Sequence, residues 1–273
     1  MKNSTKNNVV SFIILVTICV GCSVNKANID NSLKKYFDEN KVTGCFTMYN
    51  NKDGKVTVYN MQLDTVRVTP ASTFKIVNSL IAIETGIISD EKMVIKWDGI
   101  QRWNADWNKD LDFTQAFKVS AVPYFQTVAK RIGKDTMQLW LDSLNYGNRT
   151  IGKNIDSFWL DNSLKISADE QVGLVKRLYF DQLPFQKRTQ QMVRNVMLQE
   201  ENTQYALSYK TGYGFDEKNN SIGWITGWIE ENKHPFFFTL MVQTADKNVD
   251  IKAVRLKILK SILTQYGFFK GSM

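Results

Sequence analysis

The chain has 273 residues, enough to bury a sizeable core in one or two domains. Hydrophobic residues make up 43%, charged 23% and aromatic 12%, which excludes disordered, collagen-like and coiled-coil classes. The net charge of +8 is scattered rather than blocked, so it suits attraction of anionic small molecules, and no nucleic-acid partner is expected.

Residues 1–22 read as an export signal. Lys2 and Lys6 precede an apolar run over 9–20, shorter than the ~20 residues a bilayer span needs, and no later stretch reaches that length. The run ends in Cys19-Val20-Gly21-Cys22, which resembles a lipoprotein processing site with Cys19 where leucine is usual. Export to the periplasm is expected, with two outcomes open: membrane attachment through a lipidated Cys22, or cleavage nearby. A C-x-x-C inside such a signal is no redox motif. Cys45 lies in an alternating apolar stretch and reads as a buried core thiol, so no intramolecular disulfide is expected.

Residues 23–41 are polar and helix-compatible, with Leu33, Tyr36 and Phe37 as one apolar stripe. Two strands follow over 44–49 and 56–60, around the turn signal Asn50-Asn51-Lys52-Asp53-Gly54. From about 75 to 200 the patterns are mostly helical, as over 125–132 and 169–180. Strands return over 221–229 and 236–243, joined by a turn ending at His234-Pro235. Val254, Ile258, Leu259, Ile262 and Leu263 then predict a core-facing helix over 250–266. These elements predict an α+β fold: one antiparallel sheet assembled from N- and C-terminal segments, an inserted helical region, and a cleft between them.

Elimination narrows the chemistry. His234 is the single histidine and has no carboxylate beside it in sequence, so a Ser-His-Asp or Cys-His site has poor material. One histidine and one cysteine beyond the signal leave almost nothing for a zinc site, and no glycine-rich phosphate loop is present. A hydrolase built here must activate its nucleophile without histidine or metal, which points to lysine.

S-x-x-K occurs four times, beginning at Ser23, Ser32, Ser72 and Ser89. Ser72 differs in context, because Pro70-Ala71-Ser72 leads into the apolar run Phe74, Val77, Leu80, Ile81 and reads as a helix start. Ser72 and Lys75 then project from one face, a turn apart, where a helix N-terminus offers free N–H groups. Alone, such a serine is most simply an N-cap. Lys210-Thr211-Gly212 turns the choice: it occurs once, at the end of a strand-like segment over 205–209. A cation and a hydroxyl on a strand edge suit a substrate carboxylate, and Gly212 removes bulk where substrate would lie. S-x-x-K and K-T-G occur together in serine β-lactamases and penicillin-binding proteins.

Instead of the third element of that set, S-D-N, the chain carries Ser120-Ala121-Val122, followed by Tyr146-Gly147-Asn148. With Ser72-Thr73-Phe74-Lys75 and Lys210-Thr211-Gly212, these motifs stand in the order of the class D (oxacillinase-type) β-lactamases, which the chain resembles. Phe158-Trp159-Leu160, the segment 223–227 and Arg255 extend the resemblance over nearly all of the chain beyond the signal. It implies one penicillin-binding/β-lactamase domain over 23–273, its α/β part drawn from both ends.

The resemblance implies hydrolysis of β-lactam antibiotics through a Ser72 acyl-enzyme, and hence antibiotic resistance. Lys75 would be the base as an N-carboxylated lysine, needing CO2 or bicarbonate but no metal or other cofactor. Such a modification requires a neutral amine, and desolvation among Phe74, Val122 and Trp159 would supply one. Trp159 and Val122 would stabilise the carbamate, the indole N–H holding an oxygen without neutralising it. Ser120 would relay a proton to the leaving nitrogen, Lys210 would add positive potential, and Thr211, Gly212 and Arg255 would bind substrate. Backbone N–H groups of Ser72 and Tyr213 would form the oxyanion hole. Tyr146 and Asn148 would shape the cleft wall. A penicillin-binding sensor or a transpeptidase-like domain, acylated without turnover, is the alternative. Sensors sit behind several transmembrane helices, and transpeptidases carry S-x-N or S-D-N at the Ser120 position.

Overall fold

Alternation within the strands decides which side of the sheet each residue serves. Phe238 and Leu240 of one strand face the terminal helices, while Phe237 just before them joins the core of the helical insert. The computed structural model describes residues 27–271; the export signal with Lys2, Lys6, Cys19 and Cys22, and the Ser23 match, lie outside them.

In chain order the strands are β1 (Asn28–Ile29), β2 (Thr43–Asn50), β3 (Val56–Tyr59), β4 (Val94–Ile95), β5 (Leu111–Asp112), β6 (Leu198–Glu201), β7 (Tyr205–Phe215), β8 (Ser221–Glu231) and β9 (His234–Thr244). The helices are α1 (Lys34–Glu39), α2 (Met61–Asp64), α3 (Lys75–Glu84), α4 (Phe113–Lys118), α5 (Val122–Ile132), α6 (Lys134–Leu144), α7 (Ala168–Tyr179), α8 (Lys187–Met197) and α9 (Ile251–Gln265).

The main sheet has seven strands in the order β1-β3-β2-β9-β8-β7-β6, so both ends of the chain meet where β2 pairs with β9, Thr43 opposite Gln243. Its pairs are antiparallel except β1 with β3, which is parallel, a short addition the sequence pattern does not announce. The sheet otherwise has the expected α+β architecture.

One face of the sheet buries α1 and α9 over Leu33, Phe37, Ile225, Phe238, Ile258 and Ile262. The opposite face carries the insert, whose core includes Phe74, Leu80, Phe117, Phe125, Trp159 and Val193. Capping explains several helix starts. Asp112 and Gln115 form a capping box on α4, Ser167 and Glu170 another on α7, and Asp250 caps α9 by accepting from the Lys252 and Ala253 amides.

Three expected bounds shift. Among the described residues of the polar stretch 23–41, a 3-10 turn over Asn31–Leu33 leads into an α-helix over Lys34–Glu39. Residues 210–212 lie mid-way along β7 rather than at a strand end. His234 opens β9 opposite Glu231, because Asn232 and Lys233 take left-handed φ values of 49° and 64° and make a two-residue hairpin turn. Cys45 is fully buried, and burial pushes its thiol pKa well up.

Candidate active site

Ser72 sits in a 3-10 turn over Ala71–Phe74 that runs directly into α3, so Lys75 follows it by one turn. The side chain caps nothing at the helix start; its Oγ accepts from Lys75 Nζ at 2.6 Å. Lys75 is completely buried, with the Phe125 ring 5.4 Å from Nζ. Burial pushes its pKa down from the ordinary 10.5 to about 7, so near neutrality a large share of the amine is unprotonated. A 2.6 Å contact to a hydroxyl then admits either atom as donor, which is what a base on Ser72 requires.

A second lysine–serine pair stands across the cleft. Lys210 of β7 donates to Ser120 Oγ at 2.9 Å and to the Thr211 carbonyl at 3.0 Å. Its pKa falls well below the usual range, chiefly through burial and then through the positive charges of Lys75 and Arg255. Ser120 lies between α4 and α5 with φ of 55°, and Ala71 before Ser72 has φ of 48°. Left-handed, non-glycine backbone thus stands at one serine and immediately before the other, each instance costing roughly 1 kcal/mol or more.

Strand β7 borders the Ser72 turn because its glycines let it. A Cβ on Gly212 would sit 2.9 Å from the Pro70 carbonyl oxygen, and one on Gly214 would sit 3.2 Å from Ala71 Cβ. The pairing of β6 stops at Ser208, so among the described residues β7 from Tyr209 to Phe215 has a strand partner on β8 alone. That leaves an open peptide edge beside the serine. By period two, Thr211 and Tyr213 share the α9 side of the sheet with Tyr209. On α9, Arg255 is 7% exposed and donates Nη1 to the Gly212 carbonyl, while its Nε has no partner. Burial lowers its pKa to about 10.

Trp159 is fully buried, stacked on Phe74 with centroids 5.5 Å apart, and its indole Nε1 has no hydrogen-bond partner. The backbone around it is tied down: Thr69 Oγ1 donates to the Trp159 carbonyl, and Trp224 Nε1 donates to the Thr69 carbonyl. Val122 is half-buried in the first turn of α5, immediately beyond Ala121. Tyr146 packs edge-on against Phe74, and Gly147 takes φ of 52°, where a Cβ would lie 1.9 Å from the Lys165 carbonyl oxygen. Asn148 accepts from the Lys165 amide and donates to the Ser163 carbonyl, so it holds two loops together. Phe117 and Phe125, the rings over the two lysines, belong to ordinary helical core stripes and give no signal in the sequence. Among the described residues no group of His, Cys, Asp and Glu could hold a metal.

This arrangement of fold and paired lysine–serine groups is that of a penicillin-binding, transpeptidase-type domain. The family model for the penicillin binding protein transpeptidase domain matches residues 40–264. Beta-lactamase OXA-48 of Klebsiella pneumoniae is 37% identical over 257 residues, covering 93% of this chain and 96% of that protein. The solved class D β-lactamase of Sebaldella termitidis superposes with a TM-score of 0.85 at 34% identity, covering 89% of this chain and 99% of that one. The C-terminal domain of the Bacillus licheniformis BlaR penicillin-receptor gives 0.84 at 32%, covering 89% and 97%. The chain belongs to the class D β-lactamases.

Proposed function

We propose that the protein hydrolyses β-lactam antibiotics through an acyl-enzyme on Ser72 and so confers resistance. The observation that carries this reading is the 2.6 Å contact between Ser72 Oγ and a fully buried Lys75 whose pKa is near 7. A serine hydroxyl is a weak nucleophile until a neighbouring base removes its proton, and a neutral amine in contact with it can do so. Ser120, held by Lys210, is placed to pass a proton to the leaving nitrogen. Thr211 and Arg255 offer a hydroxyl and a guanidinium on one side of β7 for the substrate carboxylate. The Ser72 and Tyr213 amides are the oxyanion donors, one on the nucleophile's turn and one on the open edge of β7.

In the working enzyme Lys75 is carboxylated by CO2 or bicarbonate. Two features of the site fit such a group: an amine already deprotonated in part, and the buried Trp159 N–H with no acceptor. When present, the carbamate supplies a base for acylation and for activating the deacylating water. A charge change at Lys75 also matters for Lys210, whose proton the Lys75 cation helps to expel. With Lys75 no longer positive, Lys210 holds its proton more readily and keeps Ser120 supplied with a donor. Val122, half-buried at the start of α5, contributes apolar surface on the Ser120 side.

Likeness to the BlaR receptor domain favours a second reading, a sensor acylated once and not released. Steady-state turnover of a chromogenic cephalosporin, with and without bicarbonate, separates the two. Sustained turnover, raised by bicarbonate and accompanied by a carbamate carbon resonance on Lys75, supports the hydrolase. A single burst marks the sensor, and full activity in CO2-stripped buffer without that resonance refutes the carbamate. The Lys2 and Lys6 signal implies work in the periplasm, with Cys22 as the site of any lipid anchor.

A further inference from the structure

Residues 96–110, between β4 and β5, carry an unusual surface group: Trp103, 77% exposed, at the tip of a loop that is otherwise tightly braced. Arg102 pairs with Asp98, Trp97 Nε1 donates to the Ile100 carbonyl, and Asn108 exchanges hydrogen bonds with the Arg102 backbone. Trp107 Nε1 donates to the carbonyl of Val119, the residue before Ser120, at 3.1 Å. The Trp103 ring stands edge-on to Trp107 at 5.1 Å. An indole held this firmly while most of it faces water is a surface kept ready for something apolar.

Trp103 also meets α9. Lys252 in the first turn of α9 places Nζ 4.6 Å from the Trp103 ring and 4.9 Å from the Tyr213 ring. It thus lies between an aromatic of the helical insert and an aromatic of β7. Lys252 is also three residues before Arg255 on the same helix.

We infer that Lys252 is a positioning residue: its ammonium clamps Trp103 to Tyr213 across the cleft, and the clamped indole is the apolar wall for the ring substituent that a β-lactam carries next to its carboxylate. This rests on the proposed function, in which Thr211 and Arg255 hold that carboxylate. The place of the clamp, one helical turn from Arg255, selects that substituent rather than the acyl side chain at the other end of the substrate. Cephalosporins with an aromatic group on the six-membered ring, adjacent to the carboxylate, are therefore the favoured class.

The test compares wild type with Lys252→Met, which keeps the stem and removes the charge, and with Lys252→Arg, which keeps the cation over both rings. Two cephalosporins share one acyl side chain and differ at the ring position, methyl against an aromatic substituent. Lys252→Met should raise KM about fivefold for the aromatic substrate, the ~1 kcal/mol of one exposed cation–π contact, and less than twofold for the methyl one. The kcat values should move little, and Lys252→Arg should restore the preference. Hydrogen exchange of amides in residues 97–107 reads the clamp without any catalysis and should quicken in Lys252→Met alone. Equal KM changes for the two substrates, unchanged exchange in Lys252→Met, or an arginine variant as defective as the methionine one would each overturn the inference. Wild type that hydrolyses neither cephalosporin would refute the proposed function instead, and the exchange measurement would still decide whether Lys252 holds the loop.

Discussion

Replacing Lys75 with methionine should make the protein more stable while removing acylation. Holding an amine of ordinary pKa 10.5 at about 7 by burial costs roughly 4 kcal/mol at pH 7, since the unfolded chain keeps the proton that the native site sheds. Methionine fills similar volume without that cost, and gives up the hydrogen bond to Ser72 Oγ, worth about 1 kcal/mol. The expected gain is about 3 kcal/mol at pH 7. The sign of its pH dependence follows from the same proton. Between pH 7 and 10.5 the unfolded state binds more protons at this position, so wild-type stability rises with pH and the advantage of methionine shrinks. From pH 7 to 8.5 it should drop by roughly 1.5 kcal/mol. Urea unfolding in CO2-stripped buffer at the two pH values measures this, and added bicarbonate should then stabilise wild type but not Lys75→Met, by mass action. A stability difference that does not change with pH would refute a deprotonating burial, and with it the base assigned to Ser72.

Ser72→Ala should abolish covalent labelling by penicillin in intact-mass spectra, whereas Ser32→Ala and Ser89→Ala should label fully; labelling that persists in Ser72→Ala assigns the nucleophile elsewhere. Arg255→Ala should lower kcat/KM for ordinary penicillins by the equivalent of about 1.5–3 kcal/mol and much less for a substrate esterified at the carboxylate, and equal losses would make Arg255 a support for the Gly212 carbonyl. Asn148→Ala should lose about 1–3 kcal/mol of stability, read by urea unfolding, with kcat nearly unchanged, because its amide joins the 148, 163 and 165 backbones rather than reaching the serines.

What the sequence disclosed, and what it withheld, follows from the range of the interactions. The apolar runs of β2 and β9 and the helical period of α9 are local signals, and they place the sheet and its covering helix within a few residues. The Ser72–Lys75 pair is legible for the same reason, being set one turn apart on one segment. Pairing of Lys210 with Ser120 spans 90 residues and is visible in sequence only through a resemblance, since no spacing rule connects them. The left-handed backbone at Ala71 and Ser120 is hidden outright, because residues without glycine's freedom occupy it under tertiary compulsion. Even the hairpin at Asn232-Lys233 misleads, as Pro235 suggests a loop where the start of a central strand is built, with Pro235 its second residue.

The pairing of Thr43 with Gln243 has a consequence for how the molecule comes to exist. It closes a loop of 200 residues, and the strand carrying Lys210, the helix carrying Arg255 and the turn carrying Ser72 are brought together only within the sheet that this closure completes. Contacts so distant in sequence are made late, after most of the chain's freedom has been surrendered. A nascent chain that has not yet released β9 and α9 therefore has its nucleophile but neither the complete sheet beneath it nor the arginine beside it. Catalytic competence arrives with the last strand and helix synthesised, so a product truncated before residue 234 should be inert however well its helical insert folds.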